Sequence, residues 1–416
     1  MNVCLLNDSF PPLLDGVSNT VVNYARVIGE RGGNAVVATP AYPGVTDDYP
    51  FEVVRYPSFN TVKTLGYRTG FPFSAAAMQR LETFSPALIH SHCPMASTFL
   101  ARELRALTGA PIVFTYHTKF DVDIRRVLKG KLLQESAIHE IIRSIEACDE
   151  VWAVNRGAGE NLKSLGFSGE YLVMENGVDL TPDPVPEAEL RRLDDAWPIK
   201  ACAPVFLFVG RMLWYKGLRT ILDSLLELKR AGEPFTMILI GDGDDFEEVR
   251  AYAEKSELAG DCVFTGAIRD RALLKAFYTR ADLFLLPSVF DNNPLVVKEA
   301  AACRTASVLI RGSSSAENVT DGENGFLTED SVPSFTRALL EVCRRPELAK
   351  RTGENAAKTL YLSWEDAVDR AMARYREILR DRPAGKKGKP TVTDKTIEAI
   401  GRFYRLTSRP KSDDLP

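Results

Sequence analysis

The sequence predicts an α/β protein made of two doubly wound, Rossmann-like domains. Its 416 residues are too many for one ordinary core and suit two domains of about 200 residues each. Short apolar runs alternate with helical patterns through most of the chain, which is typical of parallel sheets covered on both faces. The alternation lapses at residues 181–203, where prolines and charged residues indicate a linker.

The first domain is predicted to cover residues 1–180. A strand at Asn2–Leu6 leads through a loop to a helix near Thr20–Arg31, which two glycines bring to an end. Further strands are predicted, in chain order, at Ala35–Ala38, Ala87–His90, Pro111–Tyr116, Glu150–Val154 and Tyr171–Met174.

The second domain is predicted to cover residues 204–363. Its strands are expected at Val205–Val209, Met237–Ile240, Val263–Thr265, Leu283–Leu286 and Ser307–Ile310. A last helix follows at residues 364–382, and residues 383–416 form a basic tail of different composition. Ligands of such folds bind at the carboxyl ends of the strands, so the default ligand site is a cleft that the two domains face.

Composition and charge exclude several classes of protein. Apolar residues make up 45% of the chain and charged residues 26%, as in globular proteins. A net charge of −4 provides no general attraction to nucleic acid, so no nucleic-acid partner is predicted. The seven cysteines are scattered without C-x-x-C spacing, which fits reduced thiols and no zinc site. With neither a signal-peptide pattern nor an apolar run of about 20 residues, the expected location is the cytoplasm or the inner face of a membrane.

Two common phosphate-binding motifs do not occur in the sequence. A G-x-G-x-x-G after a strand and a G-x-x-x-x-G-K-[ST] are both missing, which argues against a dinucleotide dehydrogenase and a P-loop enzyme. Gly-Asp-Gly-Asp-Asp at residues 241–245 contains a D-x-D pair, as some metal–phosphate sites do. We favour the simpler interpretation, in which these acidic residues precede a helix and suit its dipole.

The turn after the first strand of the second domain predicts an anion site. The strand Val205–Val209 is followed by Arg211, and Lys216 opens the next helix. A glycine turn and two cations beside a helix N-terminus suit a departing diphosphate, whose charge grows as a sugar bond breaks. The alternative is that both cations are solvated surface charge.

Two carboxylates form the second part of the predicted site. Asp291 and Glu299 flank the loop and the first helical turns after the buried strand Leu283–Leu286. Placed in this way, they can approach opposite ends of one ligand and accept hydrogen bonds from vicinal hydroxyls of a sugar or a ribose. The alternative is a helix-capping aspartate and a solvated helical glutamate.

Several short motifs occur in a fixed order along the chain. They are Asp15-Gly16-Val17, Asn176-Gly177-Val178-Asp179, Arg211 with Lys216-Gly217, Gly241-Asp242-Gly243, Phe264-Thr265-Gly266, Asp291 with Glu299-Ala300, and Asp321-Gly322 with Asn324-Gly325-Phe326-Leu327. This series resembles that of the family-4 retaining glycosyltransferases of GT-B fold, also called group 1 glycosyltransferases. The resemblance covers residues 1–382 and implies transfer of a sugar from a nucleotide-diphosphate donor.

The resemblance implies a role for each matching residue. Arg211 and Lys216 would hold the donor diphosphate. Glu299 would bind the ribose hydroxyls, and Asp291 would bind hydroxyls of the transferred sugar. His117, after a predicted strand, would reach that sugar from the acceptor side; its alternative is a half-buried histidine with satisfied hydrogen bonds. The predicted catalytic residues are therefore His117, Arg211, Lys216 and Asp291.

The other predicted donor-binding residues surround these. Gly16 would let the main chain approach the phosphates, because it has no Cβ. Gly266 and the backbone around Ile268 would face the base. The remaining predicted contacts are Val17, Asn293, Leu295 and Val296.

The chain departs from the family pattern at two of its positions. Asp291 stands where the family usually has glutamate, which shortens the reach by one methylene. Pro294 stands where the family usually has glycine, which removes a backbone N–H that would face the donor. Pro294 also suits the first turn of a helix. Both departures leave the identity of the donor sugar open.

The resemblance also implies the mechanism and the donor. The acceptor would attack from the front face, and the leaving phosphate oxygen would take its proton. No bound cofactor is expected, and no metal is required because Arg211 and Lys216 neutralise the diphosphate. The expected donor is a UDP- or GDP-hexose, with UDP-glucose first.

The acceptor is suggested by a basic amphipathic segment at Lys119–Leu133. Its cations are Arg125, Arg126, Lys129 and Lys131, and its apolar residues are Ile124, Val127, Leu128 and Leu132. Such a segment can lie on an anionic membrane, as in lipid-using members of the family, so a lipid such as diacylglycerol is the leading acceptor. The alternative is an ordinary helix with a solvated basic face.

The tail carries a similar pattern of basic and apolar residues. A helix docked on a partner and a disordered end are its alternative interpretations. The residues of the pattern are Lys386, Lys387, Lys389, Ile397, Ile400, Arg402, Phe403, Tyr404, Arg405 and Leu406.

Other functions compatible with this architecture remain as alternatives. One is a transferase that acts on a soluble or polysaccharide acceptor. Others are an isomerase, a phosphorylase and a sugar-nucleotide binder without turnover. No motif for a pyridoxal-phosphate lysine, which a phosphorylase needs, is recognised in the sequence.

Overall fold

The computed structural model of the protein describes residues 1–13, 15–62, 67–117, 119–200, 202–291, 293–381 and 392–407. The chain forms two compact units. The first comprises Met1–Asn176 with the chain from Trp364 onward, and the second comprises Gly177–Ser363.

The strands within the described ranges are, in chain order, β1 (Asn2–Leu6), β2 (Asn34–Pro40), β3 (Glu52–Tyr56), β4 (Ser58–Phe59), β5 (Thr69–Gly70), β6 (Leu88–Ser91), β7 (Ile112–Tyr116), β8 (Glu150–Ala153), β9 (Leu172–Val173), β10 (Val205–Val209), β11 (Thr236–Ile240), β12 (Cys262–Gly266), β13 (Leu283–Leu286), β14 (Ala306–Ile310) and β15 (Phe326–Thr328).

The α-helices in the same ranges are α1 (Gly16–Glu30), α2 (Ala75–Phe84), α3 (Ala96–Thr108), α4 (Phe120–Val127), α5 (Lys131–Glu146), α6 (Arg156–Ser164), α7 (Glu187–Ala196), α8 (Leu218–Arg230), α9 (Phe246–Lys255), α10 (Arg271–Arg280), α11 (Leu295–Ala302), α12 (Val332–Arg344), α13 (Pro346–Thr359), α14 (Trp364–Asp381) and α15 (Val392–Thr407).

The first unit is built on a seven-stranded sheet in the order β3-β2-β1-β6-β7-β8-β9. All neighbouring strands of this sheet run parallel. Every residue of β6 and β7 is buried, because helices cover both faces of a doubly wound sheet. The order of the strands reverses between β1 and β6.

The second unit is built on a six-stranded parallel sheet in the order β12-β11-β10-β13-β14-β15. Its strands are near-continuous apolar runs, and every residue of β11, β13 and β14 is buried. Here the order reverses between β10 and β13. The predicted α/β class with two doubly wound, Rossmann-like units is thus confirmed.

Some strands differ from the sequence-based prediction. The edge strand β3 was not expected, because only Val54 and Tyr56 of its five residues are buried and no apolar run marks it. The strand β15 was missed because it has three residues. The antiparallel pair β4–β5 lies outside both large sheets and is equally short.

Residues 181–203, for which a linker was predicted, include the helix α7 of the second unit. Leu193 is buried in that unit's core, and the Trp197 ring lies 5.5 Å from the Phe277 ring. An Oδ1 atom of Asp194 also accepts a hydrogen bond of 2.7 Å from Arg280. The many charges of the segment hide this packing from a search for apolar periodicity.

The helix α14 returns to the first unit. Trp364 and Tyr375 are completely buried there. Tyr375 stacks on Trp152 with ring centroids 5.4 Å apart, and its hydroxyl lies 2.5 Å from Nδ1 of His90. Arg26 of α1 and Arg31, which directly follows α1, also form ion pairs with acidic residues of α14.

Within the predicted tail, the described residues 392–407 form the helix α15, which packs on the first unit. Ile397 is buried, and the Tyr404 ring lies 5.2 Å from the Phe71 ring. Gly401 lies so close to Glu103 of α3 that an added Cβ would be 1.9 Å from Oε1. The predicted lysines Lys386, Lys387 and Lys389, and the side chains of Arg405 and Leu406, lie outside the described residues.

The basic segment Lys119–Leu133 is divided between two helices. α4 ends at Val127, and α5 begins after Gly130, whose φ of +102° suits glycine. Leu132 and Leu133, at the start of α5, are 78% and 62% exposed. None of the described helices has the length and apolar composition needed to cross a bilayer.

Replacing Tyr375 by alanine should destabilise the first unit by about 3–5 kcal/mol, as expected for a buried aromatic ring that leaves a cavity. Hydrogen exchange monitored by mass spectrometry should show faster exchange in β6, β7 and β8, with β10, β11 and β13 unchanged. The exposed Arg370 of the same helix provides the control, since Arg370→Ala should alter neither set. Equal loss of protection in both units would contradict the assignment of α14 to the first.

Candidate functional site

In the second unit, the candidate site lies where the strand order reverses. β10 and β13 are neighbours with Phe206 opposite Leu283, so the loops that follow their carboxyl ends start side by side. The loop after β10 carries Arg211 and Lys216. The loop after β13 carries Asp291 and leads into α11, which carries Glu299. Parallel doubly wound sheets leave a crevice at this place, where their ligands bind.

Two glycines allow the loop after β10 to approach its neighbours. Gly217 has a φ of +81°, and a Cβ there would lie 2.3 Å from the Pro287 carbonyl oxygen. Gly241 has a φ of +143°, and a Cβ there would lie 1.9 Å from the Gly210 oxygen. Larger residues would push the loop away from the ends of β11 and β13. The glycines therefore set the position of Lys216.

The Gly-Asp-Gly-Asp-Asp segment at 241–245 supports this loop from the side. Met212 donates its N–H to the Asp242 carbonyl at 3.0 Å, and Trp214 donates its N–H to Oδ2 of Asp245 at 2.8 Å. The segment immediately precedes α9, as the simpler interpretation of its acidic residues predicted. Among the described residues, no group of three or more histidine, cysteine, aspartate or glutamate side chains is placed to hold a metal ion.

Lys216 and Asp291 form an ion pair between the two loops. Nζ of Lys216 donates to Oδ1 of Asp291, and the side chains are 14% and 16% exposed. The other oxygen, Oδ2, is buried and has no hydrogen-bond partner within the described part of the chain. Arg211 is exposed, with Nη2 3.4 Å from the Tyr215 hydroxyl. One cation is thus already paired, and the other faces solvent.

Glu299 is held within α11 by two neighbours on α10. Its Oε1 accepts a hydrogen bond of 2.8 Å from Arg271, and its Oε2 accepts one of 3.0 Å from the Tyr278 hydroxyl. Burial, together with the nearby Glu299, raises the pKa of Tyr278 well above its usual value, so the hydroxyl stays protonated and donates. Each carboxylate oxygen keeps a second lone pair, since a carboxylate offers about four acceptor sites.

The other predicted donor contacts surround the same crevice or its core. Leu295, Val296 and Ile268 are partly buried against the core of the second unit. Gly266 ends β12 with a φ of +71°. Asn293 is half-buried. The sequence interpretation had allowed Pro294 to be a first-turn proline of a helix. In the structure it directly precedes Leu295, the first residue of α11, and so lies just outside the first turn.

In the first unit, Gly16 and Val17 open α1. Asp15 caps the helix, accepting hydrogen bonds from the N–H groups of Val17 at 2.9 Å and Ser18 at 2.7 Å. A Cβ added at Gly16 would meet no atom within 4 Å, and its φ is not positive. Nothing in the described chain itself therefore requires glycine at this position.

His117 follows β7 and belongs to a buried group of three histidines. Its Nε2 lies 3.0 Å from Nδ1 of His92, and the His92 ring lies 3.9 Å from the His90 ring. Burial lowers the pKa of His117 to about 3 and lowers the pKa values of His90 and His92 well below their usual range. The three rings are therefore neutral at physiological pH.

Comparison with known proteins supports the resemblance read from the motifs. Residues 14–182 match the family model described as Glycosyltransferase Family 4, and residues 191–359 match the one described as Glycosyl transferases group 1. The chain belongs to the group 1, family-4 glycosyltransferases.

Its relatives differ in the reactions that their names state. The Alpha-monoglucosyldiacylglycerol synthase of Streptococcus pneumoniae is 21% identical, with 88% of this chain and 86% of the synthase aligned. The GDP-mannose-dependent alpha-mannosyltransferase of Corynebacterium glutamicum is 23% identical, with 91% and 89% aligned. The crystal structure of Anabaena HepE in complex with UDP superposes with a TM-score of 0.72 at 16% identity, covering 91% of this chain and 100% of HepE. This glycosyltransferase therefore has the GT-B fold.

Several residues of this glycosyltransferase's candidate site were not predicted from its sequence. Arg271 and Tyr278, which hold Glu299, lie on a different helix and carry no motif. His92 contacts His117 from the neighbouring strand end. The His90-Ser91-His92 spacing was its only signal, because alternate residues at a strand end share one side.

Proposed function

We propose that this glycosyltransferase transfers a hexose, with retention of configuration, from a nucleotide-diphosphate sugar to an acceptor. UDP-glucose is the first donor to test, and a membrane lipid such as diacylglycerol is the leading acceptor. The observation that carries the donor part is the meeting of Arg211, Lys216 and Asp291 at the reversal between β10 and β13.

The two cations suit the diphosphate of such a donor. Arg211 is exposed and available to a ligand, whereas Lys216 is held in place by Asp291. Negative charge grows on the diphosphate as the glycosidic bond breaks, and cations fixed beforehand stabilise that charge without reorganisation. The leaving phosphate oxygen then takes the proton of the attacking acceptor. On this scheme no cofactor is bound and no metal is required.

The carboxylates suit the two polyhydroxyl ends of the donor. Glu299 has free lone pairs on both oxygens and a fixed orientation, as recognition of the ribose hydroxyls requires. Oδ2 of Asp291 is a buried acceptor with no partner among the described residues, and a hydroxyl of the transferred hexose would satisfy it. Asn293, Leu295, Val296, Gly266 and Ile268 would complete the contacts around sugar and base.

The first unit contributes Gly16, Val17 and His117 on this proposal. The open space at Gly16 would let a phosphate approach its main chain at the start of α1, where the N–H groups of Val17 and Ser18 already donate to Asp15. His117 is neutral, so it would offer a hydrogen bond to the hexose and not a positive charge. We treat it as catalytic through this contact.

A lipid acceptor is supported by the surface at the start of α5. Leu132 and Leu133 are strongly exposed, and the adjacent Lys129 and Lys131 are also exposed. Each leucine that enters a bilayer gains about 1.5–3 kcal/mol, and each lysine adds about 1 kcal/mol near anionic lipid. One relative is named as an Alpha-monoglucosyldiacylglycerol synthase, which is consistent with a lipid acceptor, whereas the name of the GDP-mannose-dependent alpha-mannosyltransferase states no acceptor. We infer that the enzyme is cytoplasmic, and that with a lipid acceptor it binds peripherally to the inner face of the membrane.

Replacing Arg211 or Lys216 by alanine should lower the rate of transfer about 100-fold or more, because charge stabilisation of the transition state is lost. Radiolabelled nucleotide sugars, assayed with vesicle and soluble acceptors, provide the measurement. Arg230→Ala, at the far end of α8, is the matched loss of a cation and should leave turnover unchanged. Turnover should also persist in EDTA. Near-normal rates in both site variants would refute the phosphate assignment.

Replacing each of the two carboxylates should affect the binding of free nucleotide diphosphate and of intact donor differently, as measured by calorimetry. Glu299→Ala should weaken both ligands, because both contain the ribose. Asp291→Ala should weaken the sugar donor while nucleotide diphosphate binds as well or better, because Lys216 is released from its ion pair.

Tyr278→Phe serves as the control for this pair of variants. It removes a hydrogen bond to Glu299 without removing the carboxylate, so nucleotide affinity should change only a few-fold. Equal losses of nucleotide affinity in the Asp291 and Glu299 variants would contradict the assignment of Glu299 to the ribose and Asp291 to the hexose.

Binding of the protein to an anionic membrane should require both the exposed leucines and the exposed lysines. Leu132→Ser with Leu133→Ser should release the protein from anionic vesicles in a sedimentation assay, as should Lys129→Ser with Lys131→Ser at low salt. Leu172→Ser with Val173→Ser removes another adjacent exposed apolar pair of the first unit and should have no effect. Wild-type protein that stays in the supernatant at low salt would exclude the lipid surface and favour a soluble acceptor.

A further inference from the structure

His92 is fixed in place more firmly than a residue at a strand end requires. The backbone N–H of His92 donates to the Leu6 carbonyl at 2.8 Å, so the His92 backbone is bonded to β1. Its ring centroid lies 3.9 Å from that of His90 and 5.4 Å from that of Tyr24, whose ring is edge-on to it. His90 is itself bonded at both nitrogens, to Tyr375 at 2.5 Å and to Thr115 at 2.7 Å. The imidazole of His92 therefore has a defined orientation.

The hydrogen bond between His92 and His117 joins two ring nitrogens, of which only one can carry the hydrogen. Nδ1 of His92 and Nε2 of His117 are 3.0 Å apart, and both rings are buried and neutral. A neutral imidazole carries one N–H, so one ring donates and the other accepts. The choice of donor decides on which nitrogen His117 keeps its own hydrogen.

The surroundings of His92 favour it as the donor. Its Nε2 is buried with no hydrogen-bond partner among the described residues. If His117 donated, this Nε2 would carry a buried, unpaired N–H, which folded proteins avoid more strictly than an unpaired acceptor. If His92 donates, Nε2 is a bare nitrogen and Nδ1–H is used. His117 then accepts at Nε2 and carries its hydrogen at Nδ1.

We propose that His92 is a positioning residue that holds His117 in the tautomer with hydrogen on Nδ1, so that His117 acts as a hydrogen-bond donor to an oxygen of the transferred sugar. This inference rests on the proposed function of the site. Nδ1 of His117 makes no hydrogen bond with the described residues, which leaves it for a ligand. The opposite tautomer would present only a lone pair at Nδ1, which cannot donate a hydrogen bond to a sugar oxygen.

The tautomer is tested directly by ¹⁵N NMR of histidine-labelled protein. The chain has four histidines, so single replacements assign every ring. In the wild type, His117 should show a protonated Nδ1 and an unprotonated Nε2. In His92→Phe, which fills the ring space but donates nothing, that pattern should be lost. In His92→Asn, whose amide reaches the position of Nδ1, it should return.

Kinetics of the same variants test the consequence for transfer. His92→Phe should lower kcat about 10- to 100-fold with KM for the donor changed less than about threefold, as when a catalytic histidine takes the wrong tautomer. His92→Asn should recover most of the loss. Wild-type His117 protonated at Nε2, or an unchanged tautomer or kcat in His92→Phe, would overturn the proposal.

The two proposals fail in different ways. If wild-type protein transfers no sugar from any nucleotide donor, the proposed function fails, yet the NMR spectra still decide whether His92 sets the tautomer of His117. If transfer proceeds and the tautomer is independent of His92, only the positioning role fails.

Discussion

The reversal of strand order inside each parallel sheet is the constraint on which the candidate site depends. At a reversal, the helical connections leave toward opposite faces, so the carboxyl ends of the two adjoining strands stay uncovered. In the second unit this happens between β10 and β13, whose following loops carry Arg211, Lys216 and Asp291. In the first unit it happens between β1 and β6, next to the strand end that carries His117. Within each unit, the backbone topology therefore brings these polar groups to the carboxyl ends of the strands beside the reversal.

In the second unit, charged side chains lie at the point where the strand order reverses, and the packing around them fixes their positions. Lys216 and Asp291 are largely removed from solvent, where either alone would carry a large desolvation cost. Their mutual attraction offsets part of that cost and fixes the lysine, while Gly217 against Pro287 brings the two loops close enough for the contact. Arg271 and Tyr278 similarly orient Glu299. A donor would meet groups that already have their positions, which is the source of electrostatic stabilisation in enzymes.

The first unit differs, because the three histidines of its buried group, His90, His92 and His117, are neutral. A neutral ring donates at one nitrogen and accepts at the other, and its neighbours decide which nitrogen carries the hydrogen. The helix α14 belongs to this arrangement, since Tyr375 bonds His90 and stacks on Trp152. A helix that follows the second unit in the sequence thus supports residues of β6 and β8 in the first unit. The exposed leucines of α5 lie on the same unit, apart from this buried network.

The sequence by itself determined the α/β class, most of the strands and the family. β10 and β13 were predicted with their observed bounds, because buried parallel strands are continuous apolar runs that need no knowledge of their neighbours. It also pointed to Arg211, Lys216, Asp291 and Glu299, since glycine turns and motif spacing are local. Only the tertiary structure decided that α14 returns to the first unit, that α7 packs within the second, and that His92 meets His117. Those contacts join residues that are not neighbours in the chain. They depend on which faces of the sheets and helices are left to be buried, and a local sequence pattern does not contain that information.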